Sequence, residues 1–315
     1  MFEIRKEEFG NFDKYILSNK NTNEYISIIP SFGANINSVV LIHNNQLFSI
    51  IDGDETYESL MKNRWSKGAK LVPFVNRIKD GKYSFEGNDY QLFPNQSGEG
   101  HAIHGLIFDK VFTVIDLIEN EDRAVINLEY NYKHEVEGYP FCFCITLSIT
   151  LDTKGLHYST TVKNTGESNM PFGDGWHPYF KFDEAVEELS LLLPKSRRIV
   201  VDSRMIPTGE MLDYNNFVKM TRIGDTALDT GFQIHETDKE AISKIYSQSK
   251  KVCINLRQDI GINKYNFLQV FIPPSRTSIA LEPMTSSTDA FNNKQGLICL
   301  KPEEVYQASY SIFLS

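Results

Sequence analysis

The sequence predicts an all-β protein: one large antiparallel two-sheet β-sandwich, with residues 1–315 forming a single domain. Three observations carry that expectation. Apolar and polar residues alternate with a period of two over long stretches, turn signals separate those stretches, and helical periodicity is scarce. No Pro/Ser-rich linker, charge block or shift in composition marks an interior boundary. The strands therefore belong to one body, with helix below about a fifth of the chain against the usual share of roughly 30–35%.

Taken in chain order, Asp54 to Lys62 opens on acidic residues, which a helix dipole favours at its start, and predicts a short helix. Glu86-Gly87-Asn88 is a turn. From Ala124 to Tyr132, Ile126, Leu128, Tyr130 and Tyr132 share one face while Asn127, Glu129 and Asn131 share the other. Phe141 to Leu151 alternates more strictly: Phe141, Phe143, Ile145, Leu147, Ile149 and Leu151 against Cys142, Cys144, Thr146, Ser148 and Thr150. That is a half-buried strand. A turn at Asp152-Thr153-Lys154-Gly155 leads into a strand from Leu156 to Lys163, and further turns follow at Asn164-Thr165-Gly166 and Pro207-Thr208-Gly209. Ala241 to Tyr246 fits helix or strand, and the segment after it favours strand. Tyr306 to Leu314 repeats the alternation.

Apolar residues are 41% and charged residues 23% of the chain, the balance of a soluble globular protein. A net charge of −9 argues against nonspecific binding to nucleic acid or to an anionic membrane, although Lys67, Lys70, Arg77, Lys79 and Lys82 lie close in sequence. The N-terminal residues contain no apolar signal region, and no run approaches the ~20 apolar residues of a membrane span. Cys142, Cys144, Cys253 and Cys299 have no C-x-x-C spacing, so zinc or a disulfide scaffold is not expected and a reducing cytoplasm is the simplest location.

The chemistry concentrates at breaks between apolar runs. In Asp174-Gly175-Trp176-His177-Pro178-Tyr179-Phe180 the proline disfavours helix at His177, and Glu282 stands in the same relation to Pro283. A histidine and a glutamate on stiff, extended backbone are the minimum for paired proton transfer; two ordinary strand ends are the plain alternative. Asn76 and Arg77 follow the apolar Leu71–Val75; Arg77 suits a surface ion pair or a ligand clamp. His101 and His104 sit in a glycine-flanked loop and look like a metal pair. A third ligand is needed, and only Asp109 lies nearby in sequence, so no metal site is expected. Asp229, before Thr230-Gly231, is by default a turn residue, and Tyr179 and Phe180 are by default core aromatics.

Together these segments resemble the aldose 1-epimerase (galactose mutarotase) family. Asn76-Arg77-Ile78 with Gly81, Tyr83, Phe85, Gly87, Tyr90 and Leu92 is similar to its N-R-I signature. His104-Gly105, His177-Pro178-Tyr179-Phe180, Pro207-Thr208-Gly209-Glu210, Asp229 with Phe232, and Glu282-Pro283 before Asp289-Ala290-Phe291-Asn292 match later elements in order. The resemblance implies a mutarotase-like supersandwich in which Glu282 is the general base and His177 the general acid. Arg77, His104 and Asp229 would bind sugar hydroxyls, with Asn76 and then His101 as further candidates. His104-Gly105-Leu106 and the Pro-Tyr-Phe-Lys-Phe that follows His177 depart from the H-G-G and H-x-Y-F-N-L of galactose mutarotases proper. They are more similar to the aldose-epimerase-like branch that includes hexose-phosphate epimerases.

The implied activity is interconversion of the α and β anomers of a free aldohexose, without metal, nucleotide or other cofactor. Reference pKa values of ~4.3 and ~6.5 would allow an ionised Glu282 beside a charged His177. A hexose-phosphate epimerase is the first alternative, with Arg64, Lys67 and Lys70 as phosphate donors. A non-catalytic carbohydrate-binding protein is the second, although it needs no acid and base together. A glycoside hydrolase generally needs two carboxylates. The expected partner is a small sugar, with no nucleic acid and no membrane. The oligomeric state is left open, a homodimer included.

Overall fold

The alternation along residues 141–151 becomes the strand Cys142–Asp152 in a computed structural model that describes residues 1–62, 65–94, 100–235 and 239–315. Phe143, Ile145, Leu147, Ile149 and Leu151 are buried, and their small polar neighbours are half-buried on the outer face. This strand lies third in a nine-stranded sheet. The order is Thr113–Glu119, Arg123–Lys133, Cys142–Asp152, Gly155–Asn164, Val305–Leu314, Val252–Asp259, Glu240–Ser247, Ser190–Leu192 and Thr221–Arg222.

An eight-stranded sheet carries the chemistry. It runs Pro207–Tyr214, Ser196–Val201, Asp229–Ile234, Phe267–Phe271, Ile279–Met284, Gly175–Trp176 and Lys70–Leu71, with Tyr179–Phe180 also paired to Ile279–Met284. The pairings within both sheets are antiparallel. Phe143 and Leu147 of one sheet and Phe232, Leu268, Val270 and Leu281 of the other belong to one continuous apolar core. Each such side chain contributes about 1.5–3 kcal/mol by leaving water.

A third sheet, of five strands between Phe2 and Ser49, goes beyond the two-sheet expectation. Its Leu17, Ile26 and Ile28 join the same core. Helix is confined, among the described residues, to Tyr57–Lys62, Ala290–Asn293 and two 3-10 turns. The first begins three residues later than the acidic pattern suggests. Asn37 exchanges two 2.8 Å hydrogen bonds with the Asp54 backbone, which fixes that residue outside the helix. No helix among the described residues is long and apolar enough to cross a membrane.

Candidate active site

Glu282 sits mid-strand in Ile279–Met284, directly opposite Gln269 on the neighbouring strand, and is 1% exposed. On the other side of its strand, the two-residue strand Gly175–Trp176 pairs with Met284 and with Lys70–Leu71. Gly175 is required by close packing, since a Cβ there would lie 2.9 Å from Val75 Cγ1. The backbone of His177 is then held at both ends. Its N–H donates to Ala69 O at 3.0 Å, and its carbonyl accepts from Gly68 N–H at 2.9 Å. The result brings His177 Nε2 within 3.4 Å of Glu282 Oε1. Tyr179 stacks on the imidazole with centroids 5.0 Å apart, and His104 meets it edge-on at 5.1 Å.

The opposite wall comes from two tight backbone segments. Asn76 (φ +49°) and His104 (φ +64°) both adopt left-handed backbone, and His104 N–H donates to Asn76 O at 2.9 Å. Gly105 lets this loop press on the chain, because a Cβ there would come within 2.2 Å of Val72 O. Arg77 pairs with Ile103, its carbonyl accepts from Asp289 N–H at 2.7 Å, and its Nη1 donates to Asn76 Oδ1 at 3.2 Å. Asp229 begins its strand opposite Phe271 and accepts from Gln269 Nε2 at 2.7 Å.

Asn76, Arg77, His104, His177, Asp229 and Glu282 thus line one open cavity of about 310 Å³. Trp65, Ser66, Ile103, Tyr179, Gln269 and Phe271 complete its lining. His101 does not line it. That ring is buried behind the wall, and its Nδ1 accepts from Asp80 N–H at 2.9 Å. Of the three phosphate-donor candidates, Lys70 is fully buried in an ion pair with Asp174, and Lys67 pairs with Asp52 at 2.9 Å. Arg64 lies outside the described residues.

Burial sets the protonation of the pair. It pushes His177 down to about 4. It pushes Glu282 well above the usual carboxylate range, with Asp229 adding to the rise and Arg77 opposing it. Burial lowers His104, and His177 and Arg77 add to the fall. Against the expected ionised carboxylate beside an imidazolium, desolvation favours a neutral carboxyl and a neutral imidazole. Both descriptions hold one proton. His177 Nδ1, His104 Nδ1 and Glu282 Oε2 are buried without a protein hydrogen-bond partner among the described residues. Buried polar atoms are normally satisfied, so this wall has capacity for a polar ligand.

A buried histidine and glutamate in contact at the end of a polar cavity give the site two groups able to exchange protons. The chain belongs to the aldose 1-epimerase family, whose model matches residues 14–312, and is an isomerase acting on carbohydrates. It is 27% identical over 252 residues, 78% of each chain, to a protein of Escherichia coli K12 described only as uncharacterized protein YihR. Maltose epimerase of Levilactobacillus brevis is 23% identical over 220 residues, 67% of this chain and 63% of that one. Among solved structures, a galactose mutarotase-like protein of Clostridium acetobutylicum superposes with a TM-score of 0.88 at 20% identity, over 100% of this chain and 98% of the other.

Proposed function

We propose that the protein interconverts the α and β anomers of a free aldohexose unit by general acid/base ring opening. The observation that carries this reading is the 3.4 Å contact between His177 and Glu282 at the buried end of a polar cavity. Glu282 takes the proton from O1 as the C1–O1 double bond forms. The C1–O5 bond breaks, and His177 gives a proton to O5. The open aldehyde rotates about C1–C2 and recloses on its other face, and both protons return. Oxidation level does not change and no covalent adduct forms.

Proton bookkeeping connects this scheme to the burial of the pair. The ring-closed sugar reacts with carboxylate and imidazolium, whereas the open aldehyde coexists with carboxyl and imidazole. The desolvated site favours the neutral pair, so it favours the enzyme form that accompanies the intermediate. Sugar hydroxyls and Arg77 near Glu282 offset the cost of ionising it at the start of the cycle. Arg77, His104, Asp229 and Asn76 take the remaining hydroxyls, with Gln269 holding Asp229 in place.

A free sugar is favoured over a sugar phosphate because Lys70 is walled into the core and Lys67 already holds Asp52. Maltose, named for one relative, joins glucose and galactose as a test substrate. Polarimetry of freshly dissolved α-anomers, with NMR exchange for glucose 6-phosphate, tests the proposal. Acceleration of the free sugars above buffer supports it, and acceleration of the phosphate alone, or of none, overturns it.

A further inference from the structure

Arg77 and His104 stand on a backbone ladder too short to hold its own register. Ala102–Ile103 pairs with Arg77–Ile78, two residues against two. A slip of one residue reverses the faces of its side chains, and so short a pairing resists a slip only weakly. One end is closed by the bond from His104 N–H to Asn76 O. At the other end the next rung would set His101 against Lys79. There Lys79 N–H donates to Asp289 Oδ1 at 2.9 Å instead, and Asp80 has already turned into left-handed backbone at φ +53°.

His101 closes that end with its side chain. Its Nδ1 accepts from Asp80 N–H at 2.9 Å, which leaves the proton of the neutral ring on Nε2. The residue is 3% exposed, and Nε2 has no hydrogen-bond partner among the described residues. What the imidazole contributes beyond its volume is therefore the Nδ1 acceptor. Two acidic side chains face it, Asp80 and Asp289, and they are engaged by Arg204 and by Asn292 at 2.6 and 2.7 Å. Asp80 lies three residues after Arg77. Without the acceptor its N–H is left unsatisfied in a part-buried turn, and the segment shifts to find another partner. Arg77 shifts with it.

We propose that His101 is a positioning residue: by capping the open end of this ladder it holds Arg77 at the cavity without touching the sugar. Its effect on rate rests on the anomer-interconversion reading, whereas its effect on Glu282 is readable with no sugar present. Glu282 interacts with His177, Tyr179, Asp229 and Arg77, and of these Arg77 alone is carried by the ladder. Arg77 opposes the rise that burial imposes on the Glu282 pKa. A displaced Arg77 therefore lets that pKa rise further. General loosening that admits water would lower it, so the sign separates the two.

Three variants separate the acceptor from the volume of the ring. In His101→Asn the amide oxygen stands where Nδ1 stood, in His101→Gln it stands nearer the place of Nε2, and His101→Leu has none. Polarimetry with glucose and galactose gives the rates. In His101→Leu and His101→Gln, kcat/KM falls about tenfold, the size of one buried donor left unpaired, with the loss in KM because the acid and base stay in place. His101→Asn recovers most of it. In an Arg77→Met background His101→Leu costs little more, since the group it positions is gone. Equal losses in His101→Asn and His101→Gln, or a loss fully additive with Arg77→Met, overturn the proposal.

The second measurement needs no turnover. The Glu282 carboxyl is titrated by carbon-13 NMR in the same proteins. Its pKa moves up in His101→Leu and His101→Gln and stays in place in His101→Asn. A fall, or no movement, in the first two overturns the proposal. An upward shift without turnover of either sugar retains the positioning role and removes the isomerase scheme. If His101→Leu does not fold, His101→Gln is read in its place. If neither folds, His101 serves stability alone and the proposal is overturned.

Discussion

Replacing Lys70 by methionine isolates one charge inside the core behind the active site. Lys70 is 1% exposed and Asp174 is 0%, and Nζ lies 2.5 Å from Oδ1. Around them, Lys70 Nζ donates to Thr160 Oγ1 at 2.7 Å, and Tyr265 and Tyr306 donate to Asp174 Oδ2 at 2.7 and 3.1 Å. The ammonium also sits 5.1 Å from the centre of the Tyr158 ring. Removing one partner of such a pair leaves a buried uncompensated charge, at a cost of about 3–5 kcal/mol. Replacing both is far milder, so Lys70→Met/Asp174→Asn is expected to lose less stability than Lys70→Met alone. Urea denaturation of the four proteins gives the cycle directly. Burial lowers the Lys70 pKa and Asp174 opposes the fall. In Asp174→Asn the lysine is therefore deprotonated more easily, and stability rises with pH between that lowered pKa and the unfolded value near 10.5. The pair lies next to the backbone that carries the site: Lys70 is cross-strand from Trp176 and Asp174 lies three residues before His177. A double variant whose loss equals the sum of the two singles would refute the reasoning.

The parts of the fold legible in the sequence are those with one wet face. Cys142–Asp152 and Gly155–Asn164 alternate because their outer side chains stay half-buried. Tyr25–Ile29 is buried along four consecutive residues, so its sequence has no period of two to read, and the five-stranded sheet it belongs to is not legible from alternation. The same physics governs the site. His177 and Glu282 announce themselves by preceding prolines, and Asn76, Arg77, His104 and Asp229 stand at breaks where polar residues are conspicuous. Gln269 sits inside Phe267-Leu268-Gln269-Val270-Phe271 and resembles any polar position on a strand. Its signal is that a 4% exposed glutamine in an apolar run needs partners, and burial is not written in the sequence. Trp65 lies on no periodic segment, and only the folded chain brings it to the cavity.

Three further outcomes test the site. Glu282→Gln and His177→Asn should each lower kcat by about 10²–10⁴-fold, and the double variant should lose little more than either, since the groups act as a unit; near-full polarimetric turnover in Glu282→Gln would remove it as the base. Activity should survive exhaustive dialysis against a chelator, because His101 is engaged with the Asp80 backbone away from the cavity; restoration only by added zinc or manganese would reverse that. The last outcome is the pH dependence of kcat/KM, which reports the free enzyme. The working pair holds one proton. As pH falls through about 4, His177 takes a second proton, and activity falls. As pH rises, Glu282 loses the shared proton at a pKa held well above the ordinary carboxylate value, and activity falls again. The two limbs belong to the coupled pair, but their neighbours move the alkaline one in opposite directions. Asp229 raises the Glu282 pKa and Arg77 lowers it. Asp229→Asn should therefore shift the alkaline limb to lower pH, and Arg77→Met should shift it higher. An alkaline limb that stays fixed in both variants, measured as initial polarimetric rates at constant ionic strength, would show that Glu282 does not set it.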